Sequence, residues 1–258
     1  MDSMINETIG NPSISRNLEQ QYQDGLADIW DELINWNGRA RGEKTFFQDL
    51  LNASDAQRVL DAACGTGYHT IGLDKAGFDV VASDNCPKML QKAQSNAADS
   101  GCGSVFLHAD WRELEGLFEK TFDAVICLGS SLPHLHMKED RIRALEQFYK
   151  ILKPGGILVV DHRNFDALLA GNFEGKGKFY YCSKTIQVSA KITKDGMAEF
   201  MYSKNGSHTL QVYPLRVDEI RNELERTGFS SIRSFGDFKE NDLSLESDFF
   251  IHAALKPV

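Results

Sequence analysis

Two glycines and an aspartate have the types and the spacing of a ligand-binding turn. Gly65 and Gly67 follow the apolar pair Val59 and Leu60 and precede a segment that can begin a helix, a pattern that predicts a strand, a tight turn and a helix. Because glycine has no Cβ, a ligand can approach the main chain closely at such a turn. A second apolar run ends at Asp84, seventeen residues after Gly67, where a carboxylate can accept hydrogen bonds from both hydroxyls of a ribose.

The turn lacks the features of a phosphate site. Thr70 stands where G-x-G-x-x-G has its third glycine, and no G-x-x-x-x-G-K-[ST] string occurs in the chain. The chain thus has a glycine turn without a phosphate-binding motif, followed by a carboxylate that can bind ribose hydroxyls. This combination favours S-adenosylmethionine, because this molecule carries a ribose and no phosphate.

Around the turn the sequence resembles the class I S-adenosylmethionine-dependent methyltransferases. The first motif of that family, hydrophobic-D-x-x-x-G-x-G, is matched without gaps from Asp61 to Gly67. The family also has an acid or amide beside the adenine after its third strand, where Asp110 stands, and a Pro-Gly-Gly turn before its fifth strand, matched from Pro154. The resemblance implies a Rossmann-like sheet, S-adenosylmethionine as the methyl donor and no metal.

Two further side chains suggest how a small acceptor is bound. His134 and Arg163 each follow a predicted strand, and ligands of open parallel sheets bind beyond the carboxyl ends of the strands. An isolated histidine is more often structural, and a lone arginine is usually a surface group. A functional role for His134 and Arg163 is therefore favoured by their position at the ligand crevice and not by their residue types. The planar fork of an arginine matches the two oxygens of a carboxylate. The pair therefore suggests an acceptor with a small carboxylate.

Longer strings resemble a narrower family, the glycine N-methyltransferases. They include Gln21-Tyr22, Asp161-His162-Arg163-Asn164 and the string from Gly236 to Lys239. Matched by position, the resemblance implies cofactor contacts at Tyr22, Trp30, Arg41, Ala62, Gly65, Gly67, Asp84, Asn85, Asp110, Trp111 and Leu128. It implies acceptor contacts at Tyr22, Ser130, His134, Arg163, Tyr180, Tyr202 and Tyr213. The implied catalytic residues are His134, Tyr22 and Arg163, with Arg163 on the acceptor carboxylate and the other two beside its amine.

Some positions depart from the family pattern. Ser130 stands where the animal enzymes have asparagine, Phe165 replaces a tyrosine, and the N-terminal arm is short, so we expect a monomer rather than the animal-type tetramer. These departures favour the microbial branch, which methylates glycine and sarcosine to dimethylglycine on the route to the osmolyte betaine.

Three alternatives stay open on the sequence. A glycine-only enzyme would control the ratio of S-adenosylmethionine to S-adenosylhomocysteine. A methyltransferase for another small amine would keep Asp84 and the glycine turn without needing Arg163 for glycine. A non-enzymatic sensor would bind S-adenosylmethionine with little turnover.

The composition is that of a folded globular protein with a surplus of acids. The chain of 258 residues has 37 acidic and 28 basic residues and a net charge of −9, which argues against a nucleic-acid partner. Five cysteines without a C-x-x-C pair indicate neither a zinc site nor a disulfide framework. No apolar run approaches the ~20 residues of a membrane helix and the N-terminus has no signal-peptide pattern, so we expect a cytoplasmic protein without a membrane partner.

The elements that must position these side chains follow a βα pattern. Apolar periodicity predicts helices between residues 18 and 53, followed by strands that end near Asp61, Asp84, His108, Leu128 and Asp161, with helices between them. Short β-type runs between residues 164 and 214, separated by Lys-Asp-Gly and Lys-Asn-Gly turns, predict an antiparallel insertion over the mouth of the sheet.

The sequence therefore predicts an α/β protein with a Rossmann-like class I methyltransferase sheet, mostly parallel with its last strand antiparallel. We expect four regions in chain order. They are an N-terminal arm with helices (1–53), a cofactor-binding core (54–163), the antiparallel substrate-side insertion (164–215) and the end of the core sheet (216–258).

Overall fold

A mixed sheet of eight strands forms the centre of the computed structural model, which describes residues 22–118, 120–172, 185–203 and 206–258. Together with a second sheet of three strands, the described residues form β1 (Arg58–Asp61), β2 (Asp79–Asp84), β3 (Val105–His108), β4 (Phe122–Cys127), β5 (Leu152–Arg163), β6 (Gln187–Ile192), β7 (Ala198–Ser203), β8 (Ser207–Val212), β9 (Ser230–Gly236), β10 (Lys239–Glu240) and β11 (Phe249–Leu255). The order in the main sheet is β10-β9-β11-β5-β4-β1-β2-β3, and β6, β7 and β8 form a second, antiparallel sheet.

Helices connect and cover these strands. They are α1 (Ala27–Ile34), α2 (Trp36–Glu43), α3 (Phe46–Asn52), α4 (Tyr68–Lys75), α5 (Pro87–Ser100), α6 (Lys138–Ile151), α7 (Phe165–Leu169) and α8 (Val217–Arg226). A π-helical turn over Tyr22–Leu26 leads into α1, and short 3-10 turns follow β3 at Trp111–Glu113 and β4 at Leu132–His134.

The centre of the sheet is parallel because its strands are apolar on both faces. In β1, β4 and β5 the residues Leu60, Val125 and Val159 are fully buried, together with most of their neighbours. Strands that bury both faces have continuous apolar sequences and are joined by crossover helices that cover those faces. The glycine turn and the polar strand ends are thereby brought to one edge of the sheet.

The last strand, β11, runs antiparallel to both of its neighbours, β5 and β9. Its register places Phe249 opposite Arg163 and His252 opposite Ser234. This confirms the predicted fold class, including the antiparallel last strand.

The region after β5 is more varied than the sequence pattern indicates. It begins with the short helix α7, which the prediction did not include, before the three-stranded sheet. The predicted β-type run at residues 179–181 lies outside the described residues. Strand β8 lies against the π-helical turn, since a Cβ on Gly25 would be 3.1 Å from His208. Among the described residues, no helix is long and apolar enough to cross a membrane.

Candidate active site

A cavity opens beyond the carboxyl ends of the central strands, where ligands of open α/β sheets bind. The turns that follow β1, β2, β3 and β4 all contribute to its wall. The predicted site residues that line it are Tyr22, Trp30, Gly65, Asp84, Asn85, Asp110, Trp111, Leu128, His134, Arg163 and Tyr202.

Asp84 is bonded to the glycine turn and still has acceptor capacity. Its Oδ2 accepts from the backbone N–H of Gly65 at 2.8 Å, and its Oδ1 accepts from that of Cys86 at 2.9 Å. Burial raises the pKa of the carboxyl to about 6, although these two hydrogen bonds act in the opposite direction. Each carboxylate oxygen can accept more than one hydrogen bond, so the group can also receive two neighbouring hydroxyls.

Tyr22 and His134 form a hydrogen-bonded pair across the cavity. The hydroxyl of Tyr22 lies 2.7 Å from Nε2 of His134, and Nδ1 of His134 lies 2.9 Å from the carbonyl oxygen of Ser131. A carbonyl only accepts, so Nδ1 carries the proton of the neutral ring and Nε2 accepts from the hydroxyl of Tyr22. Burial lowers the pKa of His134 to about 4 and raises that of Tyr22 well above 10.

Arg163 is held at the end of β5 by two rings and a hydroxyl. Its guanidinium carbon lies 4.7 Å from the ring centre of Phe200 and 5.9 Å from that of Phe249. Its backbone N–H donates to Oγ of Ser130 at 3.2 Å, and the N–H of Ser130 donates to Asp161 at 2.6 Å. Aromatic faces attract a cation. The cavity therefore contains a positioned guanidinium close to the Tyr22–His134 pair.

Asp110 is kept ionised at the edge of the cavity. Burial would raise its pKa, but hydrogen bonds from the backbone and the guanidinium of Arg112 outweigh burial and lower it. The guanidinium donates to both oxygens of Asp110, at 2.6–3.2 Å, and lies 3.4 Å from Asp140. This carboxylate can accept a hydrogen bond next to the ring of Trp111.

Helix α2 contributes a third guanidinium to the cavity, that of Arg39, beside those of Arg112 and Arg163. Its Nε donates to Glu43 at 2.5 Å, and the other oxygen of Glu43 lies 3.0 Å from Nε2 of His69. Burial would raise the pKa of Glu43, but the charges of Arg39 and His69 lower it to about 2. The guanidinium also lies 5.1 Å from the ring centre of Tyr68. Because only Nε contacts Glu43, the two terminal nitrogens form a fork that matches a carboxylate.

Several predicted residues of the described chain lie outside this cavity; they are Arg41, Ala62, Gly67, Ser130 and Tyr213. Arg41 is exposed, since it lies about 200° further around α2 than Arg39. Ala62 is buried in the sheet, with its N–H bonded to Ile126 at 2.9 Å. Gly67 has a φ of +93°, which favours glycine, whereas a Cβ there would make only ordinary contacts with Ala93 and Ile71 at 3.4 Å.

The two remaining residues have structural contacts instead. The hydroxyl of Ser130 accepts from the backbone of Arg163, so the residue supports the cavity without lining it. The hydroxyl of Tyr213 donates to Glu219 at 2.7 Å, and its ring lies 4.2 Å from the guanidinium carbon of Arg141. Tyr180 lies outside the described residues.

Other residues of the cavity were missed by the sequence analysis; they include Tyr68, His69, Met89, His136 and Phe249. Tyr68 and His69 directly follow the glycine turn, which is the one signal that could have identified them. Phe249 has no such signal, because only the pairing of β11 with β5 brings it to Arg163. In the described part of the chain, no group of three or more His, Cys, Asp or Glu side chains could hold a metal ion.

Comparisons with known proteins agree with this geometry. A family model described as a methyltransferase domain matches residues 59–156. The chain is 41% identical over 244 residues to a glycine/sarcosine N-methyltransferase of Aphanothece halophytica, covering 94% of this chain and 92% of the relative. It is also 41% identical over 239 residues to a glycine/sarcosine N-methyltransferase of Halorhodospira halochloris, covering 92% and 89%.

Solved structures share the fold at low sequence identity. An S-adenosylmethionine-dependent methyltransferase from Clostridium acetobutylicum superposes with a TM-score of 0.74 and 17% identity, covering 92% of this chain and 99% of that chain. At this level of identity the likeness concerns the fold alone.

Proposed function

The chain belongs to the family of glycine/sarcosine N-methyltransferases, and we propose that it methylates the amino nitrogen of glycine and then of sarcosine, giving sarcosine and dimethylglycine. The observation that carries this proposal is that Arg163, the Tyr22–His134 pair and Asp84 line one cavity. Together they supply a carboxylate site, a hydrogen-bond acceptor for an amine and an acceptor for a ribose. Dimethylglycine lacks one methyl group of betaine, so we place the reaction on the route to that osmolyte.

The charged groups that line the cavity fit the parts of S-adenosylmethionine. Asp84 suits the two ribose hydroxyls, Asp110 suits the amino group of an adenine, and the fork of Arg39 suits the carboxylate of the methionine part. When bound, the molecule supplies a methyl group on a positively charged sulfur. In this assignment Arg39 takes the place that the sequence analysis gave to Arg41.

Tyr22 presents an oxygen lone pair to the acceptor. Its own proton is donated to His134, whose ring is neutral above about pH 4. The acceptor amine therefore donates an N–H to Tyr22 and keeps its lone pair for the methyl group. An ammonium has no lone pair, so the amine must lose a proton before attack, and the rate is expected to rise on the alkaline side of neutrality.

Arg163 fixes the other end of the acceptor. Its planar fork binds the carboxylate, and the rings of Phe200 and Phe249 restrict the orientation of the fork. Two fixed points orient a molecule as small as glycine. Orientation of this kind is worth up to ~7–11 kcal/mol of a bimolecular barrier.

The number of N–H groups predicts where methylation stops. Neutral glycine has two N–H groups, sarcosine has one and dimethylglycine has none. Only the first two acceptors can donate to Tyr22 while their lone pair faces the methyl group. We therefore expect two methyl transfers and no third.

Product analysis by mass spectrometry tests this function. The purified protein is incubated with S-adenosylmethionine and glycine, sarcosine or dimethylglycine in separate tubes. We expect methylation of glycine and sarcosine, with dimethylglycine unchanged. Methylation of glycine alone would instead identify the enzyme that controls the methyl-donor ratio, consumption of dimethylglycine would contradict the role of Tyr22, and no product in any tube would overturn the acceptor assignment.

The same assay with Arg163→Lys tests the carboxylate site. Lysine keeps the charge but loses the planar fork, so the KM for glycine is expected to rise at least about ten-fold. Binding of S-adenosylhomocysteine, measured by calorimetry, should change less than about two-fold. An unchanged KM and an unchanged turnover of glycine would refute the role of Arg163 as the carboxylate site.

A further inference from the structure

A row of buried polar side chains crosses three adjacent strands next to Arg163. It consists of His162 on β5, His252 on β11 and Ser234 on β9, which are 1%, 0% and 2% exposed. Side chains alternate along a strand, so His162 points to the opposite face of the sheet from Arg163. We call these three residues and Arg221 of α8, which donates to Ser234 at 2.9 Å, the polar row.

The hydrogen bonds of the polar row run in one direction. The row begins at Arg221, a guanidinium that only donates. Oγ of Ser234 lies 2.9 Å from Nδ1 of His252, Nε2 of His252 lies 3.1 Å from Nε2 of His162, and Nδ1 of His162 lies 2.8 Å from the carbonyl oxygen of Arg163. That carbonyl only accepts, so His162 carries its proton on Nδ1, His252 carries its proton on Nε2, and Ser234 donates to His252.

Both rings of the row must be neutral for this arrangement. A second proton on His162 would lie on Nε2 and oppose the N–H of His252 across the 3.1 Å contact. A second proton on His252 would lie on Nδ1, where it opposes the hydroxyl hydrogen that Ser234 donates at 2.9 Å. Burial lowers the pKa of His162 to about 4 and lowers that of His252 well below its usual value, in agreement with the hydrogen bonds. The charged groups that act on the two rings are Asp166, Glu219 and Arg221.

The polar row ends at the backbone of Arg163, the residue proposed to bind the acceptor carboxylate. Side chains bond both polar groups of the Arg163 backbone, with Ser130 accepting from the N–H and His162 donating to the carbonyl. Both contacts lie at the last residue of β5. They fix the peptide planes from which the side chain of Arg163 extends into the cavity.

We propose that His162, His252 and Ser234 are positioning residues, which hold the backbone of Arg163 so that its guanidinium meets the acceptor carboxylate. This inference rests on the proposed role of Arg163. It is separate from cofactor binding, because Asp84, Asp110 and Arg39 belong to other elements.

Steady-state kinetics of three variants test the proposal. His252→Leu removes both hydrogen bonds of the ring, Ser234→Ala removes the donor that fixes its proton, and His252→Gln keeps a donor for His162. We expect the KM for glycine to rise about ten-fold in His252→Leu and less in Ser234→Ala, with kcat and the affinity for S-adenosylhomocysteine within about two-fold of wild type. In His252→Gln the KM for glycine should lie closer to the wild-type value than to that of His252→Leu.

A matched control separates positioning from loss of stability. Leu224→Val lowers packing in α8, which covers the row, without removing a polar contact. Its KM should stay at the wild-type value. An unchanged KM in folded His252→Leu, or an equal rise of KM in Leu224→Val, would overturn the proposal. If His252→Leu does not fold, Ser234→Ala decides, and an unchanged KM in that folded variant would overturn the proposal. A wild-type protein that does not methylate glycine would refute the proposed function instead.

Discussion

Arg39 and Arg41 show how the position on one helix decides the role of a residue. Both lie on α2 with the same chemistry, but Arg39 lines the cavity and pairs with Glu43, whereas Arg41 is exposed. Side chains two positions apart on a helix point in nearly opposite directions. A sequence string with two arginines therefore cannot distinguish which of them meets a ligand.

Substitution of these two arginines should separate their roles. Arg39→Lys keeps a charge beside Glu43 but removes the fork, so the affinity for S-adenosylhomocysteine should fall about ten-fold. The affinity for methylthioadenosine, which has no carboxylate, should not change. Calorimetry with both ligands measures the difference, and Arg41→Lys is the matched control. A loss in Arg41→Lys with none in Arg39→Lys would contradict the assignment.

At the scale of elements, the glycine turn has two functions that its sequence does not distinguish. Gly65 lies in the wall of the cavity with a φ of +54°, and its N–H contacts Asp84. Gly67 has a φ of +93° and faces Ala93 of α5 and Ile71 of α4. The second glycine thus supplies the left-handed conformation from which α4 begins, while the first leaves room for a ligand.

Two alanine substitutions near this turn should have opposite effects on stability. Gly67→Ala places a Cβ at a positive φ and against α5, so the free energy of unfolding should fall by about 1–2 kcal/mol. Gly72→Ala lies within α4, where a Cβ meets no atom within 4 Å, and should raise that free energy by roughly 0.5–1 kcal/mol. Urea unfolding of both variants measures the change, and a Gly67→Ala protein as stable as wild type would refute the need for a glycine conformation at this position.

At the scale of the whole molecule, three buried neutral histidines make the fold sensitive to acid. Burial lowers the pKa of His134 and of His162 to about 4 and lowers that of His252 as well, whereas an unfolded histidine has a pKa of about 6.5. Between about pH 4 and 6.5 the unfolded chain therefore binds more protons, and acid favours unfolding. Asp84 acts in the opposite sense, because burial raises its pKa to about 6.

The free energy of unfolding should consequently fall as the pH is lowered from 6 to 5, with each of the three histidines contributing about 1 kcal/mol per pH unit. The buried carboxyls of Asp61, Asp84 and Asp161 offset part of this slope, because burial raises the pKa of each. Urea unfolding at pH 7, 6 and 5 measures the slope, and His252→Gln should reduce it by about 1 kcal/mol per pH unit. A slope that is the same in His252→Gln and in wild type would show that the ring of His252 is not a buried neutral group.

The amino-acid sequence by itself determined the fold class and the turn after β1, and it predicted a binding role for Asp84, which lines the cavity. These features are encoded in neighbouring residues, because the alternation of apolar runs and breaks specifies strands, helices and turns locally. The fold class is confirmed, and so are the family and its methyl donor. The longer strings also named His134 and Arg163, which line the cavity with Asp84.

The tertiary structure alone decided the finer arrangement of the site. The Tyr22–His134 hydrogen bond joins residues 112 positions apart, and the contact between His162 and His252 joins residues 90 positions apart. Which arginine reaches the cavity, which way the hydroxyl of Tyr22 points and which strand meets β5 depend on how distant segments pack. No local pattern contains that information, because the free energy of each such contact exists only once the sheet has formed and both partners are buried.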